Sequence, residues 1–207
     1  MKKYWRLWWI LTFDSFQMAL INRFGAGLFL FGKIIRFGFF LFFLIFLTQK
    51  TKVLAGYDLY QTVFFFLTFN LIDTGAQLFF REIYRFRPLI VSGQFDYILA
   101  RPVNPLFRVL LGGADMLDLI TLPPLIIFTV VLITKISGIG PGQIILYIIL
   151  LGNGLLIAAA FHIAVAALAV ITTEIDHTIM IYRDLTQMAR VPLDVYNTSV
   201  QGFLTFI

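Results

Sequence analysis

The sequence predicts an all-α protein that crosses a membrane several times. Of its 207 residues, 60% are hydrophobic and 13% are charged, whereas a soluble domain contains about 45–50% apolar and about 25% charged residues. The mean hydropathy is +0.91, and long apolar runs recur along residues 24–170. Because a helix needs roughly 20 apolar residues to cross a bilayer, the chain has room for about five or six crossings and for no large soluble domain.

The first predicted element is an amphipathic helix over residues 3–22 that lies in the membrane interface. Four aromatic side chains suit headgroup depth, and they are Tyr4, Trp5, Trp8 and Trp9. Asp14 interrupts the apolar stretch and no small-residue cleavage site follows, which argues against a secretory signal. The alternative is that this segment is an early start of the first crossing.

Five apolar segments are predicted to cross the membrane after this helix. They lie at about 24–47, 59–80, 109–134, 143–171 and 178–195. We expect the third to be kinked or locally broken at Pro123-Pro124, since two consecutive backbone donors are missing there. The fifth is the most polar and has a single apolar stripe. We therefore expect a crossing that is buried among other helices, with an interfacial helix as the alternative.

Charged side chains within the predicted crossings are candidates for function. Lys33 and Arg36 lie three residues apart and so share one face of the first crossing, and Asp73 lies at a similar depth in the second. A lone cation at mid-bilayer costs about 2.5–3.5 kcal/mol on insertion scales, so we expect Asp73 to pair with one of the two cations. Arg183 and Asp184 in the fifth crossing complete the set of predicted intramembrane charges.

The distribution of Lys and Arg predicts that the N-terminus of this multi-pass protein lies in the cytoplasm, and the expected location is the plasma (inner) membrane. Residues 2–23 and the loop 81–108 carry nine cations, and the opposite helix ends carry three, which are Lys50, Lys52 and Lys135. Cytoplasmic loops of membrane proteins are enriched in these residues, which accounts for the net charge of +5. Membrane lipid is therefore a predicted partner, and nucleic acid is not.

The sequence offers few groups for nucleophilic or metal chemistry. It contains no cysteine, and His162 and His177 each lack a carboxylate or a second histidine at ligand spacing. The stretch from Gly27 to Lys33 is one residue short of a phosphate-binding loop and lies in apolar membrane sequence. We therefore predict no catalytic residue, no cofactor site and no metal site on this chain.

Asp115 and Asp118 are the remaining candidates for catalysis, since they lie three residues apart on one predicted helix. Near the cytoplasmic start of the third crossing, such carboxylates are expected to face water. The alternative is an acid–base pair or a proton relay, which would belong to a membrane-embedded enzyme.

The loop 81–108 contains the most informative segment. From Gly93 to Leu106 it reads G-Q-F-D-Y-I-L-A-R-P-V-N-P-L, in which a helix-breaking glycine precedes an amphipathic turn and two prolines make the exit rigid. A short, rigid and charged segment of this kind suits the transfer of force from a cytosolic motor. The alternative is an ordinary connecting loop.

This segment resembles the membrane subunits of type-2 ABC exporters, in the subgroup related to daunorubicin- and antibiotic-resistance permeases. Residues 4–6, 69–75 and 189–196 are similar to the same subgroup. The resemblance implies a six-helix permease that forms a homo- or heterodimer and works with two copies of a separate cytosolic ATPase, on which ATP is bound. It also implies a coupling helix in this loop that docks on the ATPase, with the residues Gly93, Asp96, Arg101, Pro102, Asn104 and Pro105.

Members of this family continue through a re-entrant segment and a final crossing. In this sequence the apolar run 203–207 ends without a polar cap, so we expect the final helix of the family to be missing and the chain to be a truncated form. Residues 1–207 are predicted to form a single transmembrane permease domain.

The predicted function is that of a permease subunit in an ABC exporter. A separate ATPase would drive the outward transport of a hydrophobic substrate through a path lined by apolar side chains. Two alternatives come from other classes: a membrane-embedded enzyme, and a structural or assembly membrane protein that transports nothing. Association with an ATP-hydrolysing subunit would separate the permease from both.

Overall fold

The computed structural model describes residues 2–172 and 176–206, and its elements in these ranges are helices joined by turns. Four of the described helical segments are long and apolar enough to cross a membrane, so the predicted all-α, polytopic fold is confirmed. In chain order the α-helices are α1 (Lys2–Ile21), α2 (Arg23–Thr51), α3 (Leu59–Phe80), α4 (Phe86–Val91), α5 (Gln94–Leu99), α6 (Pro105–Leu110), α7 (Met116–Ile133), α8 (Pro141–Thr172), α9 (Asp176–Met188) and α10 (Thr198–Phe206). The four candidate spans are α2, α3 with its extension to Val91, α7 and α8.

Helix α1 forms where the sequence predicted an amphipathic helix. It packs against the start of α7 and beside the loop that precedes it. The Tyr4 ring meets the Phe107 ring edge-to-face at a centroid distance of 4.8 Å, and the Thr12 hydroxyl accepts a hydrogen bond of 3.0 Å from the backbone N–H of Ala114. These contacts fix α1 to the same end of the bundle as the loop 81–108.

Helix α3 is the centre of the bundle and packs against α2, α7 and α8. It begins at a capping box, in which Asp58 and Gln61 each accept a hydrogen bond from the other's backbone N–H. The buried ring of Phe66 lies between Phe37 and Phe40 of α2, at centroid distances of 5.1 and 4.9 Å. Aromatic packing therefore joins the first two spans.

The third span begins later than predicted, at Met116 instead of residue 109. Residues 111–115 are not helical, and Gly113 has a φ of 136° that a helix cannot accommodate. A Cβ on Gly113 would lie 2.8 Å from the backbone oxygen of Leu11, so glycine is required for the approach of α1. Helix α7 then continues through Pro123-Pro124, so the predicted local break is not formed, and the alternative of a kink stays a prediction.

The segment 178–195 is not one continuous helix, which corrects the predicted boundaries of a fifth span. Helix α9 has 13 residues, a length of about 20 Å, and a second, 3-10 helix follows at Leu193–Val195. The chain nevertheless runs the depth of the bundle, because Ile179 is buried beside Ile83 at one end and Asp194 reaches the α2–α3 loop at the other. The membrane crossing of this segment stays a prediction.

At that far end, the Tyr57 hydroxyl donates a hydrogen bond of 2.9 Å to Asp194 Oδ2. This hydrogen bond and the negative charge of Asp194 raise the pKa of the Tyr57 hydroxyl above its ordinary value. The neutral phenol is therefore the form that ties the irregular chain after α9 to the α2–α3 loop.

The loop 81–108 is a packed helical unit. A 3-10 helix at Arg81–Arg85 leads into α4, and α5 and α6 follow. The side chains of Ile83 and Phe86 are buried together with Val109 of α6 and with Val165 of α8. This unit is therefore packed directly on the adjoining end of α8.

Candidate functional site

Helix α5 presents an exposed surface at the outer edge of the loop unit. Gly93 adopts a left-handed conformation with φ of 72°, which ends α4 and starts α5 in a new direction. Phe95 faces inward and meets Phe86 edge-to-face at 5.0 Å. The opposite side is open to solvent, and its exposed side chains, which we call the α5 surface, are Asp96, Tyr97, Leu99 and Arg101.

Two exposed side chains with large apolar parts make this surface unusual for a solvent-exposed loop. Tyr97 is 73% exposed and Leu99 is 53% exposed, and two charges of opposite sign flank them. Aromatic and apolar side chains with arginine at the edge are the composition of a protein–protein contact. The α5 surface is therefore suited to bind another protein.

Three of the predicted docking residues hold the segment that follows α5. The Asn104 side chain caps α6 by accepting a hydrogen bond of 3.2 Å from the N–H of Phe107, and Pro105 occupies the first turn of that helix. Lys3 Nζ donates to the carbonyl oxygen of Pro102 at 2.6 Å. Together with Gly93, these residues fix the backbone on either side of α5, and we call these four residues the frame. Asp96 and Arg101 are the exposed charged side chains between them.

Where the loop unit meets the spans, an ion-pair network joins three helices. Lys33 of α2 donates to Asp118 Oδ1 of α7 and to the Thr121 hydroxyl. Arg81, at the end of α3, contacts Asp115 Oδ2 at 3.1 Å and Asp118 Oδ2 at 3.3 Å. We call Lys33, Arg81, Asp115 and Asp118 the ion-pair network.

This network corrects two predictions. Asp118 does not face water, because its residue is fully buried. Lys33 pairs with Asp118, and among the described residues Asp73 has neither Lys33 nor Arg36 within ion-pair distance. Asp73 instead accepts a hydrogen bond of 2.9 Å from Gln77 Nε2 on its own helix. Asp115 caps the N-terminus of α7, so both carboxylates of the supposed acid–base pair have structural partners.

Ion pairs continue from this network into the loop unit. Glu82 follows Arg81 in the chain, and its carboxylate contacts Arg108 Nη1 of α6 at 3.3 Å and Arg85 Nη1 at 3.6 Å. The Arg81 guanidinium also lies over the Phe29 ring of α2, 5.2 Å from its centroid. Sequence reasoning missed the roles of Arg81, Glu82 and Arg108, because nothing in their spacing shows which charges meet across helices.

A cavity of about 290 Å³ lies between α2, α3 and α7, beside the ion-pair network. Its wall is mostly apolar and aromatic, with Phe37, Phe40, Phe66 and Phe128 among the lining residues. We call it the charged cavity because its lining also includes four ionisable side chains, which are Lys33, Arg36, Asp73 and Arg190.

Arg190 is a site residue that the sequence analysis did not select. Its guanidinium lies over the rings of Phe40 and Phe69, at 5.5 and 5.8 Å from their centroids. The signal that could have found it is an arginine beside an apolar stripe near a proline, but its partners come from α2 and α3, far away in the sequence.

A family model described as ABC-2 family transporter protein matches residues 34–207, well over half of the chain. The chain belongs to the ABC-2 transporter family. No significant match was found among curated proteins or among solved structures. Family membership makes this ABC-2 protein a membrane component of a transporter, and the closer resemblance to daunorubicin-resistance permeases stays a prediction.

The remaining predicted charges of the ABC-2 protein lie apart from this site. Arg183 and Asp184 are exposed on α9, and neither lines the charged cavity. They are therefore not brought together with Lys33, Arg36 and Asp73.

The surroundings of His162, a histidine within span α8 of the ABC-2 protein, indicate a structural role. His162 Nδ1 lies 2.7 Å from the carbonyl oxygen of Ala158, and Nε2 lies 3.2 Å from the Tyr84 hydroxyl. The rings of Phe161 and Tyr182 pack around it. Within residues 2–172 and 176–206, no group of three His, Asp or Glu side chains is arranged to hold a metal ion.

Proposed function

We propose that this ABC-2 protein is the permease subunit of an exporter and that a separate cytosolic ATPase docks on the α5 surface. The observation that carries the proposal is an exposed helix, α5, held in a packed loop unit that is joined to the spans by ion pairs. In this proposal ATP is bound by the partner, the loop 81–108 and the N-terminus lie in the cytoplasm, and the membrane is the plasma (inner) membrane.

Force applied at α5 has a continuous route to the spans. The loop unit is packed on α8 through Ile83 and Phe86, and the adjacent Arg81 binds α7 through Asp115 and Asp118. Because Asp118 also binds Lys33 of α2, displacement of the loop unit acts on several spans together. We propose that ATP-driven closure of the partner uses this route to change the tilt of α2 and α7.

The proposal includes a second permease chain, identical or different. Large apolar side chains of α2 are exposed along its length, including Phe24 at 78% and Phe39 at 74%. Lipid and a second permease can both cover such a face. The transport path is proposed to lie next to α2, where apolar and aromatic side chains suit a hydrophobic substrate.

The experiment removes the exposed charges without touching the frame. In the permease co-expressed with a candidate partner ABC ATPase, Asp96→Ala or Arg101→Ala should weaken the complex by about 2–5 kcal/mol, or some 30-fold to several thousandfold in affinity. The expected readout is lower co-purification of the ATPase and loss of transport-stimulated ATP hydrolysis. Membrane insertion should not change, because both side chains are exposed outside the spans.

A matched control is Lys135→Ala, which removes a charge from the loop at the opposite end of α7. This variant should retain wild-type co-purification and ATP hydrolysis. If both α5 variants behave like the control, the ATPase does not dock on the α5 surface.

A further inference from the structure

The charged cavity contains more cationic charge than its carboxylate can neutralise. Lys33 is already bonded to Asp118, which leaves Arg36, Arg190 and Asp73 as the other charges on the wall. Arg36 repels Arg190, and Asp73 attracts it. Two positive charges are therefore balanced by one negative charge, and the net charge of these three side chains is +1. In the part of the chain that the structure describes, neither guanidinium has a carboxylate oxygen within 4.0 Å.

The position of these charges makes the excess costly. Arg36 lies 13 residues after the start of α2, roughly 20 Å along a helix of about 43 Å, so it is near the middle of a span. A charged side chain there is unfavourable by about 2.5–3.5 kcal/mol on insertion scales unless it reaches water or a counter-ion. An anion at the cavity would remove that cost.

The surroundings of the two arginines specify what kind of anion fits. The Arg190 guanidinium lies over the rings of Phe40 and Phe69, at 5.5 and 5.8 Å from their centroids. A guanidinium without a carboxylate partner can bind a carboxylate or a phosphate through its N–H donors. The rest of the wall is apolar and aromatic. A volume of about 290 Å³ is at the lower end of the range of about 300–1,000 Å³ for ligand pockets.

We propose that the charged cavity binds an amphiphile with an anionic headgroup, whose carboxylate or phosphate pairs with Arg36 and Arg190 and whose hydrocarbon part lies against the aromatic wall. This inference rests on the proposed transport function and names the class of substrate. Asp73 holds the net charge of the two arginines to one, which suits a headgroup with a single negative charge.

The test measures binding by photolabelling, without the ATPase. The full-length permease in phosphatidylcholine nanodiscs is exposed to a diazirine-bearing fatty acid or to the matching fatty alcohol, irradiated, and analysed by peptide mass spectrometry. The acid should label the peptides that contain Phe37 and Phe128 at least tenfold more than the alcohol does, since hydrogen bonds to charged groups contribute about 1.5–3 kcal/mol.

Variants assign this preference to the two arginines. Arg36→Gln and Arg190→Gln should each reduce labelling by the acid about tenfold, and Arg190→Lys should retain most of it. Arg183→Gln, an exposed arginine of α9 outside the cavity, is the matched control and should label like the wild type. Should the glutamine variants not fold, competition of unlabelled acid against unlabelled alcohol on the wild type decides the question.

Equal labelling by acid and alcohol would overturn the proposal, as would labelling by the acid that survives both glutamine substitutions.

A second arm of the experiment uses phosphatidylglycerol nanodiscs. Loss of labelling there identifies bilayer lipid as the natural source of the anion, and retained labelling identifies an amphiphile from outside the bilayer. Because no ATPase is present, a negative result leaves docking on the α5 surface unaffected, and failed docking leaves this site unaffected.

Discussion

Asp118 joins two cations from different helices through one buried carboxylate. Lys33 of α2 binds Oδ1 and Arg81, at the end of α3, binds Oδ2, while the carboxylate itself belongs to α7. Its side chain is 1% exposed and that of Lys33 is 18% exposed, so bulk water can screen these charges only weakly. The consequence is that removal of one partner leaves a buried charge without compensation.

The first residue-scale prediction follows from this burial. Asp118→Asn should lower the free energy of unfolding by about 3–5 kcal/mol, because Lys33 keeps its charge in an apolar site. The measurement is thermal or denaturant unfolding of the purified protein in detergent. The double variant Asp118→Asn with Lys33→Gln should recover much of the loss, since no unpaired ammonium remains.

Asp73→Asn is the matched control at this scale. Asp73 accepts a hydrogen bond from Gln77 and has no cation within 4.0 Å among the described residues. Its charge attracts Arg190 only over a longer distance, so this change should cost less than Asp118→Asn, which breaks two direct ion pairs. Equal losses from the two variants would contradict the assignment of Lys33 to Asp118.

At the scale of elements, α3 and α8 approach closely at two glycines. A Cβ on Gly154 would lie 2.9 Å from Ile72 Cδ1, and a Cβ on Gly75 would lie 3.1 Å from Leu155 Cδ2. Small residues permit this kind of contact between membrane helices. Small residues recur in the sequence of the fourth span, but the helix that approaches them cannot be identified from that segment alone.

The element-scale prediction compares two glycines of the same helix. Gly154→Val should destabilise the protein by about 1–3 kcal/mol, because the added methyl groups meet Ile72 in a packed contact. Gly152→Val is the control, since a Cβ there has no atom within 4 Å. Thermal unfolding of the two variants side by side gives the difference, and equal midpoints would contradict the α3–α8 packing.

Periodic elements were predictable from the sequence, and elements whose ends depend on tertiary contacts were not. The capping box that starts α3 is formed by residues close together in the sequence, and the predicted span 59–80 has the same bounds as this helix. The start of α7 at Met116 depends on Gly113 lying against the Leu11 backbone of α1, a contact between distant segments. The division of 178–195 likewise depends on partners such as Tyr57, which no local pattern reveals.

The candidate site was predictable in part for the same reason. Gly93, Asn104 and Pro105 have backbone roles set by local geometry, which local sequence reasoning can anticipate, and their part in docking stays a prediction. The pairing of Lys33 with Asp118 joins residues 85 positions apart. Depth along each helix could not choose between Asp118 and Asp73, because depth does not specify which faces meet.

At the scale of the whole molecule, the α5 surface and the charges between the spans belong to one connected structure. The loop unit packs on α8, and Glu82 and Arg81 join α6 to α7. Lys33 extends this connection to α2, whose Arg36 lines the charged cavity. In the proposed mechanism, a partner that moves α5 would therefore change the cavity without touching it.

Cysteine cross-linking tests the docking of an ATPase on α5 most directly, because the chain contains no cysteine of its own. A single cysteine at Tyr97, labelled with a short reagent that is thiol-reactive at one end and photoreactive at the other, should cross-link to the co-expressed ATPase in native membranes on irradiation. A cysteine at Lys135, on the loop at the other end of α7, should give no such product. Cross-linking from position 135, or none from position 97 in a complex that still co-purifies, would contradict the account.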